Sequence, residues 1–364
     1  MIPHFEVYGP YLHTDDLPIF IFLSIAVTYI IKDKMFVLDT TGKYIVLFLI
    51  FLVLQNLYTN QSILSSDIYR FVFYFVLYIF MTNSDSNFDY FYLPLILFTI
   101  LAGFAVGAYV FELNFGNDDY QTWNIGFNPS DLDYLKGRIN GFQAGGPNSF
   151  ADLITITAVY SLFKYKNSYV FFIVPLALFA VIVTYSRFSL VVLMLFIFLK
   201  LIKEKLYTEL IVSILILLFA ANSLGVYERF INDDNNGISD RLLMLEASTD
   251  YFISSSLESK LIGNGSNKLI FESNNIYLYD EFEKNPYSYG PHNSFIFYLI
   301  NYGIVGILFY ILIFMALFKR RLQFDTNLIT VALFFVLSWS TDLLHNHSVS
   351  WFLYFVYFTY LKAE

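Results

Sequence analysis

The 364-residue sequence has no cysteine and only 14% charged residues. The first shortage excludes a thiolate nucleophile, a disulfide and a Cys-ligated zinc site. The second, in a chain that is 57% hydrophobic and 21% aromatic, leaves more apolar surface than one soluble core could hide. The first sixteen residues, MIPHFEVYGPYLHTDD, contain no Lys or Arg and no small-residue cleavage pattern. No cleavable signal peptide is therefore predicted, and targeting rests on the first membrane helices. Ten-residue segments of alternating hydrophobicity, which a membrane β-barrel needs, are also missing. A net charge of −9 argues against nucleic acid as a partner.

What the chain does have is apolar runs of roughly 15 to 23 residues, the length that crosses about 30 Å of hydrocarbon as helix. They lie near 17–31, 43–59, 69–83, 90–112, 148–163, 167–185, 188–203, 206–224, 293–318, 326–342 and 349–361. The expected fold is all-α, a polytopic transmembrane helix bundle of about eleven spans, ten and twelve being the neighbouring counts, in one integral membrane domain over 1–364. Short connections hold Lys32, Lys34, Lys43, Lys164, Lys166, Lys200, Lys203, Lys205, Lys319, Arg320, Arg321 and Lys362, all on one side of an eleven-helix arrangement. The positive-inside rule makes that side cytoplasmic, with the N-terminus outside and the C-terminus inside.

Seven of the other nine cations fall in two long outer segments, 113–147 and 225–291, where the short-loop rule does not apply. All five histidines, His4, His13, His292, His345 and His347, face outward, so chemistry that uses histidine belongs there. In the larger segment, Ser239 to Lys260 places Leu242, Leu245, Phe252 and Ile253 at near-helical spacing behind a Ser239 or Asp240 cap. This predicts an amphipathic helix near 240–258, lying over the bundle or in the headgroup layer. LIGNGSNK, with Gly263 and Gly265, follows as a turn. Asn232 to Gly237 begins like a calcium loop, but its twelfth position is Leu243, which rejects that site.

The stretch richest in chemistry is Tyr287 to Gly306, YSYGPHNSFIFYLINYGIVG. His292 stands where a loop ends and a long apolar helix begins, and the positive end of a helix dipole keeps an imidazole neutral, ready to accept a proton. The same residues also read as an interfacial histidine beside a capping Asn293. Gly303 and Gly306 suit close helix packing, with a functional kink as the less favoured alternative.

Arg138, Arg187 and Arg241 stand beside predicted helix N-termini on the outer side. A cation there opposes the dipole unless an anion satisfies both the cation and the free N–H groups, and a bound phosphate would do so. Arg187 interrupts the apolar stretch from Ser168 to Leu199, at a cost of roughly 2.5–3.5 kcal/mol at membrane depth. Solvated loop positions for Arg138 and Arg241, and a headgroup contact for Arg187, are the alternatives. Tyrosines from Tyr277 to Tyr289 offer aromatic faces to sugars. His345 and His347 with Asp342 read as interfacial polar residues.

PHNSFIFYLINYGIVG resembles the His-Asn and Gly-x-x-Gly signature of the O-antigen polymerase and ligase superfamily of bacterial envelopes. GRINGFQAGGPNSFA, TYSRFSL and DRLLMLEAS followed by LIGNG fall in the family order, so the resemblance spans roughly 138–315. One departure is that Leu-Met occupies the neighbourhood where a tryptophan usually follows the second arginine motif. The resemblance implies a bacterial inner-membrane glycosyltransferase whose active site faces the periplasm and whose substrates ride on polyprenyl diphosphate. His292 would be the base, Arg187, Arg241 and Arg138 would bind diphosphate, and Asn293 and Tyr289 would support them. No metal and no cofactor are expected. Expected partners are lipid-linked oligosaccharides, membrane lipid, and a chain-length regulator and flippase of the same pathway.

The chemistry agrees with that division. A diphosphate leaves well once guanidinium groups meet its growing charge, which leaves only the nucleophile to be sharpened by one neutral imidazole. Glycoside hydrolases need a carboxylate pair, and none stands out. The preferred reading is a polymerase of lipid-linked repeat units. A ligase that moves glycan to lipid A core or protein is the alternative, and a flippase or transporter is the reading from another class. A transporter should carry midplane charges and paired broken helices.

Overall fold

Backbone groups in hydrocarbon must bond within their own segment, so a chain this apolar has to be built from helices or a closed barrel. The computed structural model describes residues 6–8, 12–13, 38–59, 66–83, 92–115, 126–129, 137–140, 146–165, 167–208, 211–215, 236–265 and 293–318, with single positions between 24 and 32 and at 329, 333 and 337. Most described residues are helical. The expected spans near 17–31, 206–224, 326–342 and 349–361 fall wholly or mostly outside them.

Helix α1 (Thr40–Tyr58) opens behind Asp39, which accepts from the Gly42 amide at 2.8 Å. The second oxygen of Asp39 accepts from the Tyr78 hydroxyl at 2.8 Å, which ties that helix start to the far end of α2 (Ser66–Asn83). α1 and α2 are thus antiparallel. α3 (Leu93–Val110) has Pro94 in its first turn, where the missing N–H costs nothing. It buries Ala102, Ala105 and Ala108, a strip of small side chains that lets neighbouring backbones approach closely.

α4 (Gly146–Lys164) runs antiparallel to α3: Phe104 meets Phe150 at one end, and Tyr92 stacks on Tyr165 at the other, with centroids 5.9 Å apart in both pairs. α5 (Val170–Ile182) carries Pro175 inside it, and α6 (Arg187–Lys203) returns alongside α4. One core joins α3 to α6, and a second joins α1 and α2 to α9 (Ser294–Phe318) through Phe48, Leu52, Phe71 and Tyr302. Phe48 packs edge-on against Phe71 at 4.8 Å.

Among the described residues, three helical stretches are long and apolar enough to cross a membrane, Thr40–Tyr58, Leu93–Val110 and Ser294–Ile313. Outward-facing large hydrophobic side chains occur on these spans and on α6. Leu47, Ile50, Leu54 and Leu57 on α1 and Val191, Leu195, Leu199 and Ile202 on α6 form exposed stripes at helical spacing. A helix apolar all round, with one side unburied by protein, is suited to lipid.

Among the described residues, two short antiparallel hairpins interrupt the helical set. β1 (Glu6–Tyr8) pairs with β2 (Leu12–His13), and β3 (Gly126–Pro129) pairs with β4 (Gly137–Asn140). The second hairpin falls within the expected outer segment 113–147. At the Gly-x-x-Gly element the structure departs from simple close packing. Gly303 has φ +64° and ψ −170° inside α9, so the helix breaks there, while Gly306 packs toward the ring of Phe51 on α1.

Candidate active site

The β3–β4 hairpin covers one end of the α3–α6 bundle. The Phe127 amide donates to the carbonyl of Leu113, just past α3, at 2.7 Å, and the Ile139 amide donates to that of Val183 at 3.1 Å. Between these anchors β4 delivers Arg138, whose Nε donates to the Thr184 carbonyl at 3.2 Å. Thr184 lies in the turn between α5 and α6, three residues before Arg187. The structure therefore brings Arg138 and Arg187, distant in sequence, to one tight turn.

That turn is built with its polar groups paired. Tyr185 adopts a left-handed φ of +55°, uncommon outside glycine and the price of reversing the chain in so few residues. The Thr184 hydroxyl donates to the Val181 carbonyl at 2.6 Å and accepts from the Ser186 amide at 3.3 Å. Ser186 occupies the N-cap position of α6 without capping it through its side chain. Its hydroxyl instead shares a hydrogen bond of 2.8 Å with Ser189, which donates to Asp152 at 2.6 Å. Arg187 is the first residue of α6, half-buried.

Asp152 is fully buried in α4. A carboxylate among apolar helices is costly and needs donors or counter-charge. Here it receives Ser189 and so fixes the first turn of α6 against α4. The turn before α6 therefore holds Arg138 close in space to the helix start that Arg187 forms, on a scaffold fixed by a buried acid.

Helix α7 (Asn236–Ser254) begins before the expected Ser239 or Asp240 cap, which puts Arg241 in its second turn; the Arg241 side chain lies outside the described residues. The expected continuous helix to 258 is interrupted at Ser255. A new short helix, α8 (Leu257–Ile262), starts behind Ser256, whose hydroxyl accepts from the Ser259 amide at 3.1 Å. Tyr251 and Phe252 dock on the second core, and burial pushes the Tyr251 phenol above its ordinary pKa, partly offset by Ser255.

Asn293 is the N-cap of α9. Its Oδ1 accepts from the amides of Phe295 at 3.0 Å and Ile296 at 3.2 Å, two of the donors a helix start leaves unpaired. Phe295 packs against the α3–α6 core that carries Arg187. His292 and Tyr289, like His345 and His347, lie outside the described residues. Sequence reasoning passed over Asp152 and also Gln55, a buried amide in α1. The available signal was a polar side chain inside an apolar run.

Searches of curated proteins and of solved structures return no match. Residues 172–311, from inside α5 to inside α9, match the family model described as O-antigen ligase, and the matched segment includes Arg187, Arg241 and His292.

Proposed function

We propose that the chain polymerises polyprenyl-diphosphate-linked oligosaccharide repeat units at the periplasmic face of the bacterial inner membrane, by inverting, metal-independent glycosyl transfer. The observation that carries this reading is that Arg138 is held against the Thr184 carbonyl, three residues before Arg187 opens α6. In the reaction, an acceptor sugar hydroxyl attacks the anomeric carbon of the donor while His292 takes its proton. The carbon–oxygen bond to the diphosphate breaks, and the leaving polyprenyl diphosphate keeps the electron pair. Arg138, Arg187 and Arg241 meet its growing charge. Asn293 holds the helix start beside His292, and Tyr289 offers a face to sugar. The full bundle has about eleven spans, the N-terminus outside and the C-terminus inside, and 225–291 forms a large periplasmic loop. A chain-length regulator and a flippase of the same pathway are its working partners.

The matched family, described as O-antigen ligase, favours a second reading, a ligase that joins glycan to lipid A core or protein. Both use one donor and differ in acceptor. The glycan profile of cells carrying His292→Ala separates them. A polymerase gives core capped by a single repeat unit, whereas a ligase gives no capping and glycan held on its lipid carrier. Removing the base should slow transfer by about 10²–10⁴-fold. Normal long chains at matched protein level would exclude His292 as the base. For metal independence, a purified assay should survive chelator; rescue by one added cation would refute it.

A further inference from the structure

Gly303 breaks α9 where it would otherwise continue a transmembrane helix, and the break releases backbone carbonyls that need partners. The turn after α8 supplies them. The Asn264 amide and its Nδ2 donate to the Ile300 carbonyl at 3.0 and 3.1 Å, and the Gly265 amide donates to that of Asn301 at 2.9 Å. Glycine is required on both sides of the seam: Gly263 has φ +78°, a Cβ on it would overlap the Asn301 carbonyl, and a Cβ on Gly303 would overlap that of Leu261. A third element closes the seam. Gln55 of α1, 3% exposed, donates through Nε2 to the carbonyl of Asn301 at 2.6 Å and to that of Ile262.

The pieces joined here carry different parts of the proposed chemistry. α7 and α8 form the arm that bears Arg241, and the half of α9 before the break follows His292 in sequence, after the Asn293 cap. We propose that Gln55 is a positioning residue for glycosyl transfer: by bonding the Ile262 and Asn301 carbonyls at once, it clamps the Arg241 arm to the His292 half of α9 and sets the leaving-group cation relative to the base. The functional part rests on the glycosyltransferase reading above; the clamp itself does not. Gln55 touches no reacting atom. A misplacement of about 1 Å between groups that must act together can cost about 100-fold in rate.

The absence of cysteine makes the clamp directly measurable. Spin labels at Ile253→Cys on α7 and Leu299→Cys on α9 in the full chain, held in lipid nanodiscs, report the separation of the arm from the base-bearing half-helix. The parent pair should give one narrow distance distribution. Gln55→Leu should broaden it and lower kcat by roughly tenfold to 100-fold per folded, monodisperse protein. A distribution that stays narrow, or a kcat that stays at the parent value, overturns the proposal. Should Gln55→Leu not fold, Asn264→Ala removes one side-chain bond of the same seam from a turn residue and is judged by the same two readouts. A parent protein that transfers no sugar would defeat the glycosyltransferase reading, while the distance distributions would still decide the clamp.

Discussion

At the scale of single residues, Arg187 at the start of α6, with Arg138 of β4 held against the turn before it, defines the anion-binding prediction. Arg187→Lys keeps a positive charge but loses the planar fork of donors that suits a diphosphate. Removing a charge-assisted hydrogen bond costs about 1.5–3 kcal/mol, so donor KM should rise about 10- to 100-fold in a purified transfer assay. Unchanged KM would remove Arg187 from the donor site. At the opposite end of α6, Glu204 accepts from Asn167 at 3.3 Å and from Lys200 at 3.2 Å, and these partners hold its carboxyl below the ordinary glutamate pKa. A lowered folded pKa means a contribution to stability that is complete above the unfolded value of about 4.3 and lost as pH falls through the folded one. Glu204 is partly exposed, so screening limits the pair to about 0.2–1 kcal/mol. Thermal denaturation should show Glu204→Gln slightly less stable than the parent at neutral pH, with the gap closing below about pH 4.

Among the elements, those that sequence made legible are the ones determined by local chemistry. Asn293 reads as a helix cap from its place between Pro291-His292 and an apolar run, and its side chain caps α9. Arg187 reads as a boundary because a cation cannot sit cheaply inside Ser168 to Leu199, and α6 starts on it. The hairpin strands GFNP and GRIN are too short to show an alternation; Phe127 and Ile139, paired across them, are buried in the α3–α6 core, and the carbonyls of Leu113 and Val183 anchor the strands. Asp152 was hidden for a related reason, since its donor Ser189 is 37 residues away. The break in α9 depends on a turn whose Asn264 is 36 residues from Ile300, so glycines that suit packing equally well suit a break. Gly303→Ala forces a Cβ onto a backbone at φ +64° and against the Leu261 carbonyl. It should destabilise by at least about 1–3 kcal/mol, read as a lower melting temperature in nanodiscs. A melting temperature equal to the parent's would show that the break is not required.

For the whole molecule, the chain divides its polar work between ends and its apolar surface between protein and lipid. α3, α4, α5 and α6 alternate in direction, as successive spans must, and the lysines gather where α4 and α6 finish. That arrangement supports a cytoplasmic assignment for the Lys200 end and a periplasmic one for the arginine turn. Tyr207 and Leu257 are both exposed and suit single-cysteine replacement. In cells with a permeable outer membrane, an impermeant maleimide should label Leu257→Cys directly and Tyr207→Cys only once the inner membrane is breached. The reverse pattern would invert the proposed topology.

The anchoring of the β3–β4 hairpin also bears on the order of events during synthesis. β3 finds its partner at Leu113, already made when Phe127 appears, but β4 must wait for Val183 and Thr184. Until α5 and the α5–α6 turn have been inserted, the strand bearing Arg138 leaves the ribosome with its outer edge unpaired, a state open to wrong pairings. Arrival of the α5–α6 turn therefore ends the exposure of that edge in the same step that seats Arg138, so a chain stalled before Val183 would lack both the covered edge and the acceptor for that arginine.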